Sequence, residues 1–251
     1  MTLALQIDRV SHRYGQRLAL DSISIGLLQG RFNALLGPNG AGKSTLFALL
    51  TRLYRVQRGE IRLGDISIDQ RPRALLAKLG VVFQQSTLDL DLTVMQNLEY
   101  HGALHGLSKR EIRRRAEAEL EWLGLADRSK DKVRSLNGGH RRRVEIARAL
   151  LHRPDILLLD EASAGLDVSS RQAINRAVRT LCEERGLTVL WATHLLEEVS
   201  LDDPVVILHR GRVLAQGIGR EVCEAGEQPT LDALFDRLTS NPQTREAEVR
   251  L

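Results

Sequence analysis

Residues 37–45 read Gly37-Pro38-Asn39-Gly40-Ala41-Gly42-Lys43-Ser44-Thr45: a glycine, four residues, a second glycine, then lysine and a hydroxyl residue. This run constrains the fold because its chemistry works only between a buried strand and a helix. Both flanks meet the requirement. Asn33-Ala34-Leu35-Leu36 is a short apolar run suited to a buried strand, and Leu46, Leu49, Leu50 and Leu53 follow at helical spacing. Glycines let the backbone curl so that successive N–H groups converge on phosphate oxygens, and the helix N-terminus adds a favourable dipole. In such a cradle Lys43 holds the outer phosphates and Ser44 ligates Mg²⁺. A glycine-rich turn with a chance Gly-Lys-Ser would not need both flanks, so the segment reads as a nucleotide site.

A chain of 251 residues, 43% of them hydrophobic, can bury one good core with a subdomain attached. The net charge of +4 is mild. The tight basic runs, Arg113-Arg114-Arg115 and Arg141-Arg142-Arg143, come with few aromatics and read as solvated helix faces rather than a nucleic-acid groove. Cys182 and Cys223 show no metal-ligand spacing and read as reduced thiols of a cytosolic protein. The first residues lack the basic segment and long apolar core of a signal peptide. No apolar run approaches the ~20 residues that span a bilayer, so work at a membrane would need a membrane part from another subunit.

Leu3 to Val10 and Leu20 to Leu28 alternate like two strands, with Tyr14-Gly15 in the turn between them. Tyr14 is suited to stacking on an adenine ring, or is an ordinary turn residue. Gly59 to Asp65 reads as a strand ending in a turn. Val81 to Phe83 reads as a buried strand that delivers Gln84 to its end, where parallel sheets place ligand-binding groups; a plain surface glutamine fits equally well. From Ser86 to Arg134 the apolar period turns helical. Ser108-Lys109-Arg110-Glu111 is a capping box, and Ile112, Ala116, Leu120 and Leu123 share one face until Gly124. Residues 86–139 are therefore expected to form a small helical insertion, too short for a long coiled coil.

Ser135 to His140 carries paired glycines into a helix over Arg141 to Leu151, with Val144, Ala147 and Leu151 inward and Pro154 beyond its end. Such a glycine pair is a second candidate anion site, and a weak one taken alone. Ile156 to Leu159 is a fully apolar strand ending in Asp160 and Glu161. Adjacent acids at the tip of a buried strand are costly unless something positive or polar needs them, the alternative being that both face solvent. Asp160 is placed to support Mg²⁺, and Glu161 to polarise an attacking water. Ser163 to Asp167 reads as a turn, Val168 to Arg185 as an amphipathic helix, and Thr188 to Thr193 as a strand that delivers His194 to a third strand end. His194 there is either a ligand to a terminal phosphate or a polar cap. Val205 to Leu208 and Val213 to Ala215 flank a closing hairpin. Beyond Gly217 one helix is expected, Leu231 to Leu238, followed by a polar end that frays.

In this order the elements resemble the ATP-binding cassette subunits of ABC transporters, over nearly the whole chain. The correspondence runs through Tyr14 for adenine stacking, Gly37 to Thr45 for the phosphate loop and Gln84 for the glutamine loop. It continues through Leu136 to His140 for the family signature, Asp160-Glu161, Ser163 to Asp167 for the loop that crosses the dimer, and His194 for the switch. The resemblance implies an α/β fold of the P-loop NTPase type: a RecA-like core, an antiparallel β subdomain and a helical subdomain. It implies a cassette over residues 1–216 and a short C-terminal helical extension over 217–251. It further implies an ATPase that takes ATP and Mg²⁺, with Ser44, Gln84 and Asp160 at the metal and Glu161, Gln84 and His194 at the chemistry. Two copies would close head to tail, so that Asn137, Gly138, Gly139 and Asp167 of one meet the ATP held by the other. A membrane permease is the implied partner, which would hold this cytoplasmic chain peripherally at the inner face of the cell membrane.

The chain departs from the family pattern at the signature. Where most members carry Leu-Ser-Gly-Gly-Gln, this one has Leu136-Asn137-Gly138-Gly139-His140. Asn137 keeps a donor but is bulkier than serine, and both glycine amides remain, so a competent site with altered closure is expected. Thr87 to Val94, the bare length and the stretch Leu231 to Phe235 are similar to exporter cassettes of drug and polyketide efflux. The Asn-Gly-Gly-His run further resembles a branch found beside PQQ-dependent alcohol oxidation systems. Rival readings are a soluble ABC ATPase acting on nucleic acid or ribosomes, an importer cassette, and another phosphate-loop enzyme. The last lacks an Asn-Lys-x-Asp guanine reader here, and the soluble ATPases usually carry tandem cassettes, a coiled coil or zinc modules.

Overall fold

The structure is a computed structural model that describes residues 2–240 and 249–250. The chain opens with an antiparallel hairpin, β1 (Leu3–Tyr14) and β2 (Arg17–Leu28), longer at its turn end than the alternation alone suggested. Left-handed residues at Arg9 and Ser22 mark register shifts, and such irregularities let a long ribbon bend over a core. Next come β3 (Phe32–Leu36), α1 (Lys43–Leu50), β4 (Arg58–Leu63), β5 (Ile66–Ser67), α2 (Pro72–Leu76) and β6 (Leu79–Val82). The helix α1 ends before Leu53, which the spacing had placed on its apolar face; Leu53 is 66% exposed. The helical insertion is built mainly by α3 (Val94–Leu104) and α4 (Lys109–Trp122), followed by α5 (Gly138–Leu150). The rest is β7 (Ile156–Asp160), α6 (Val168–Arg185), β8 (Thr188–Thr193), β9 (Pro204–His209), β10 (Arg212–Ile218), α7 (Gly219–Ala225), α8 (Leu231–Ser240) and the short β11 (Val249–Arg250).

Among the described residues these strands form two sheets, an antiparallel one in the order β2-β1-β4-β5 and a larger one in the order β11-β10-β9-β3-β8-β7-β6. The strands β9, β3, β8, β7 and β6 run parallel. Parallel strands covered on both faces read as continuous apolar runs, and their alternate residues part to two cores. Leu157 and Leu159 of β7, with Val189 and Trp191 of β8, join the core shared with the helical insertion. Ile156, Leu158, Leu190 and Ala192 join the core shared with α1 and the antiparallel sheet. The sheet is thus clamped from both sides. Because β3, β6, β7 and β8 are parallel, the segments that follow them, beginning at Gly37, Phe83, Glu161 and His194, emerge along one edge.

Local differences from the sequence reading have physical causes. Ser108 caps α4 by accepting from Glu111 N–H, but Glu111 pairs with Arg114 and Arg115 instead of closing the box; the reciprocal box is Thr93 with Gln96. The helix α5 starts at Gly138 because Asn137, not a residue after the glycines, supplies the cap. The Arg141–Arg143 run is not a solvated face. Arg142 is buried, Arg143 donates to the Leu123 carbonyl, and Arg141 donates to the carbonyls of Val133 and Arg134. The expected closing hairpin is formed by β9 and β10, with both turn residues, Arg210 and Gly211, left-handed. The 216–217 division falls inside β10, and α7 precedes the expected last helix. Val222 and Cys223 of α7 share a core with Leu231 and Leu234 of α8. The polar end expected to fray falls on residues 241–248, outside the described residues. Both cysteines are free and buried, and desolvation pushes the Cys182 thiol up to about 12.

Candidate functional site

The phosphate loop leaves β3 and turns into α1 through Gly42, whose φ of 115° suits a residue without a side chain. A Cβ there would also lie 2.8 Å from the Leu20 side chain, so the loop is pressed against β2. No side chain caps α1, and its first helical bond runs from Leu46 N–H to the Gly42 carbonyl. The amides of Lys43, Ser44 and Thr45 precede that bond and are available for an anion. Lys43 is buried and folds back along the loop, its Nζ donating to the Gly37 carbonyl at 2.6 Å and the Pro38 carbonyl at 3.3 Å.

Three strand ends converge on that ammonium. Glu161, just past β7, places Oε1 3.3 Å from Lys43 Nζ and 3.4 Å from His194 Nδ1, while its Oε2 accepts from Gln84 Nε2 at 3.2 Å. Its backbone is left-handed, φ 47°, and its N–H is tied to the Ala192 carbonyl at 3.0 Å, which aims the side chain back across the sheet edge. Asp160, one residue earlier, is buried. Desolvation, and then the Glu161 charge, raise its pKa above the usual carboxylate range, with the Ser44 hydroxyl and Lys43 opposing. Its Oδ1 is buried with no hydrogen-bond partner. A buried orphan carboxylate oxygen beside a serine hydroxyl is a hard-oxygen arrangement that fits Mg²⁺. Lys43, Ser44, Gln84, Asp160, Glu161 and His194 are thus brought together at one sheet edge.

Asn137, Gly138, Gly139 and Asp167 form a second group. Asn137 Oδ1 accepts the His140 N–H at 2.8 Å and caps α5. Asp167 caps α6, accepting from Ser169 Oγ at 2.6 Å, Ser170 Oγ at 2.7 Å and Ser170 N–H at 2.9 Å. The Ser169 hydroxyl, then the Ser170 bonds, hold its carboxyl well below the usual range. The two helix starts touch. A Cβ on Gly139 would fall 2.7 Å from Ser170 Oγ, so a side chain there would have to displace the Ser170 hydroxyl. Tyr14 stands apart at the end of β1, 40% exposed, edge-on to the rings of His12 (4.8 Å) and Tyr54 (5.4 Å).

One residue that the sequence reading missed links the two groups. Arg142, on α5, donates to the Phe83 carbonyl at 2.6 Å and the Gln84 carbonyl at 2.8 Å while pairing with Glu145 at 2.8 Å. Glu145 in turn accepts the Thr87 N–H at 3.0 Å. The backbone around Gln84 is therefore fastened to the helix that Asn137 caps. The available signal was an Arg and a Glu three residues apart on the face of α5 that carries Ile146 and Ala149 to the core.

The sequence profile of the family described as ABC transporter matches residues 20–164. The chain is 37% identical over 220 residues to the linearmycin resistance ATP-binding protein of Bacillus subtilis, covering 87% of this chain and 70% of that one. It is 36% identical over 261 residues to the Nod factor export ATP-binding protein I of Cupriavidus metallidurans, covering 100% of this chain and 84% of that one. Among solved structures it resembles the dimeric post-hydrolysis state of an ATP-binding cassette bound to ADP and phosphate, with a TM-score of 0.76, 29% identity, and coverage of 86% and 99%. The profile match spans the phosphate loop, the strand-end carboxylates and the glycine pair, and the chain belongs to the ABC transporter family as an ATP-binding, ATP-hydrolysing subunit.

Proposed function

We propose that two copies of this chain close head to tail around two ATP molecules, hydrolyse them with Mg²⁺, and drive a separate membrane permease in the export direction. The observation that carries the reading is the division of the site. Lys43, Ser44, Gln84, Asp160, Glu161 and His194 converge within one chain, while Asn137, Gly138, Gly139 and Asp167 gather in a separate cluster. In the closed pair, the second cluster of one copy completes the first cluster of the other. The start of α5 then adds a helix dipole and free glycine amides toward the terminal phosphate, so ATP favours closure by differential binding. The solved dimeric cassette with ADP and phosphate supports this arrangement.

Within one chain, Lys43 and the loop amides bind and orient the phosphates. Ser44 and Asp160, with Gln84 beside them, are the residues that would hold Mg²⁺, which when bound neutralises charge on the phosphate oxygens. Glu161 accepts a proton from the attacking water. His194, hydrogen-bonded to Glu161, orients that carboxylate. Tyr14 offers its exposed ring to adenine, and the helical insertion passes nucleotide state to the permease through the Gln84 segment. Among the described residues no helix is long and apolar enough to cross a membrane, which fits a subunit held at the inner face by its partner. The names of the linearmycin resistance and Nod factor export relatives support export.

The test is to capture the subunit from detergent-solubilised membranes, identify its companion, and measure Mg²⁺-dependent ATP turnover of the complex against a Glu161→Gln control. A multi-span membrane protein and turnover well above the control are the expected results. Stimulation by nucleic acid or ribosomes with no membrane companion would overturn the proposal.

A further inference from the structure

Outside the nucleotide site, three histidines gather where the helical insertion meets the core. His101 lies in the last turn of α3, His105 follows as its C-terminal cap, and His152 lies between α5 and β7. One ring nitrogen of each lies within 4.8 Å of the others. The ring centroids are 4.7 Å apart for His101 and His105, 6.2 Å for His101 and His152, and 3.9 Å for the nearly parallel pair His105 and His152. Two histidines four residues apart at a helix end share a face, and that is a favourable spacing for chelation.

The third ring is prepared in the way metal-binding imidazoles are. His152 Nε2 lies 3.0 Å from the Leu79 carbonyl, which can only accept, so Nε2 carries the proton and Nδ1 keeps its lone pair. That Nδ1 is buried and has no hydrogen-bond partner. A ligating histidine characteristically donates its other ring N–H to a backbone carbonyl, which fixes both tautomer and orientation. A buried, unpartnered lone pair beside two further imidazoles is otherwise a cost without an offset.

We propose that His101, His105 and His152 form a binding site for a divalent transition metal ion, Zn²⁺ in the first instance. Three imidazole nitrogens suit Zn²⁺ and disfavour Mg²⁺ and Ca²⁺, which prefer oxygen, so the site is chemically separate from the one at Ser44 and Asp160. Desolvation first, then the charges of Arg148 and the neighbouring histidines, hold His101 at about 3; burial and His105 hold His152 at about 4. Binding requires His105 to swing out of its stack with His152. It is exposed and caps the helix, so the swing moves a surface side chain. Arg148 and Arg115 lie near enough to act on the trio, and they favour an anion such as chloride or hydroxide in the fourth position. The bound ion would fasten the end of α3 to the segment that carries His152 and, through Leu79, to β6. That limits movement of the helical insertion against the sheet.

The experiment uses the full chain without an affinity tag. Zn²⁺ binding is measured by competition with a chromogenic chelator, and Co²⁺ absorption reports the coordination geometry. The expected result is one Zn²⁺ per chain, unchanged by millimolar Mg²⁺, with a four-coordinate Co²⁺ spectrum and a melting temperature raised by Zn²⁺. The His105→Ala and His152→Gln variants should each bind more than about 100-fold more weakly, while His209→Gln binds as the parent does. His105→Ala should melt as the parent does without metal, which separates lost ligation from lost folding. Parent protein that binds no Zn²⁺ at micromolar concentration, or His105→Ala that binds as tightly as the parent, overturns the proposal.

Discussion

Lys43 Nζ and Glu161 Oε1 stand 3.3 Å apart with both side chains nearly buried, so the residue assigned to the phosphates and the residue assigned to the water are each other's counter-ion. A phosphate that enters the loop competes with the Glu161 carboxylate for the same ammonium. The two roles are therefore coupled before any nucleotide arrives.

Glu161→Gln removes both the competing charge and the proton acceptor. The variant should bind ATP at least as tightly as the parent by equilibrium titration, and its turnover should fall by a factor of about 100 or more. With ATP and Mg²⁺ it should run as a dimer in size-exclusion chromatography. Turnover close to the parent value would remove Glu161 from the chemistry.

Asp160 carries a pKa raised by burial, so ionisation of this group opposes folding of the nucleotide-free chain. The sign follows from linkage: its favourable contribution is present below the ordinary carboxylate pKa and is lost as pH rises through the higher folded-state value. Asp160→Asn should therefore melt higher than the parent at pH 7 without nucleotide, by about 2–4 °C for a change of about 1 kcal/mol in a chain of this size. The same variant should lose most of the stabilisation that the parent gains from ATP with Mg²⁺. Scanning calorimetry from pH 4 to 8, with and without ligand, reads both effects, and the gap between the two proteins should widen with pH.

Much of this arrangement was legible because parallel strands report themselves as apolar runs. Ile156 to Asp160 reads as a buried strand with a carboxylate at its tip, and the fold buries every residue of it. The ends of strands carrying Gln84, Glu161 and His194 could be listed from sequence, but their convergence needed the strand order β3-β8-β7-β6, which no local pattern encodes. Arg142 was misread because three consecutive arginines look like a solvated face. Its burial depends on carbonyls at Phe83 and Gln84, far away along the chain. The trio of His101, His105 and His152 was hidden for the same reason, since only the i, i+4 pair is local.

Arg142 and Glu145 form a buried ion pair whose remaining hydrogen bonds all go to the Gln84 segment. Arg142→Ala leaves the Glu145 charge and two carbonyls unpaired in the interior. It should cost about 3–5 kcal/mol in urea unfolding. Arg142→Lys keeps the charge but loses the fork that spans both carbonyls, so it should fold and yet show reduced ATP turnover with little change in ATP affinity. Equal turnover in Arg142→Lys and the parent would limit Arg142 to holding the fold.

Asn137 offers the cleanest separation of structure from function. Its Oδ1 caps α5 through the His140 N–H, a task that serine performs about equally well. Asn137→Ser should therefore leave the unfolding free energy of the isolated chain within about 0.5 kcal/mol of the parent, whereas Asn137→Ala should cost about 1 kcal/mol. Any difference in turnover between the asparagine and serine forms then reports contact with ATP across the dimer and not the integrity of the helix. The smaller hydroxyl lets the glycine amides approach the phosphate more closely, so Asn137→Ser should tighten ATP-dependent dimerisation on the Glu161→Gln background. Sedimentation at graded ATP concentrations measures that shift. Identical dimer affinity for the two forms would mean that the side chain at this position does not face nucleotide.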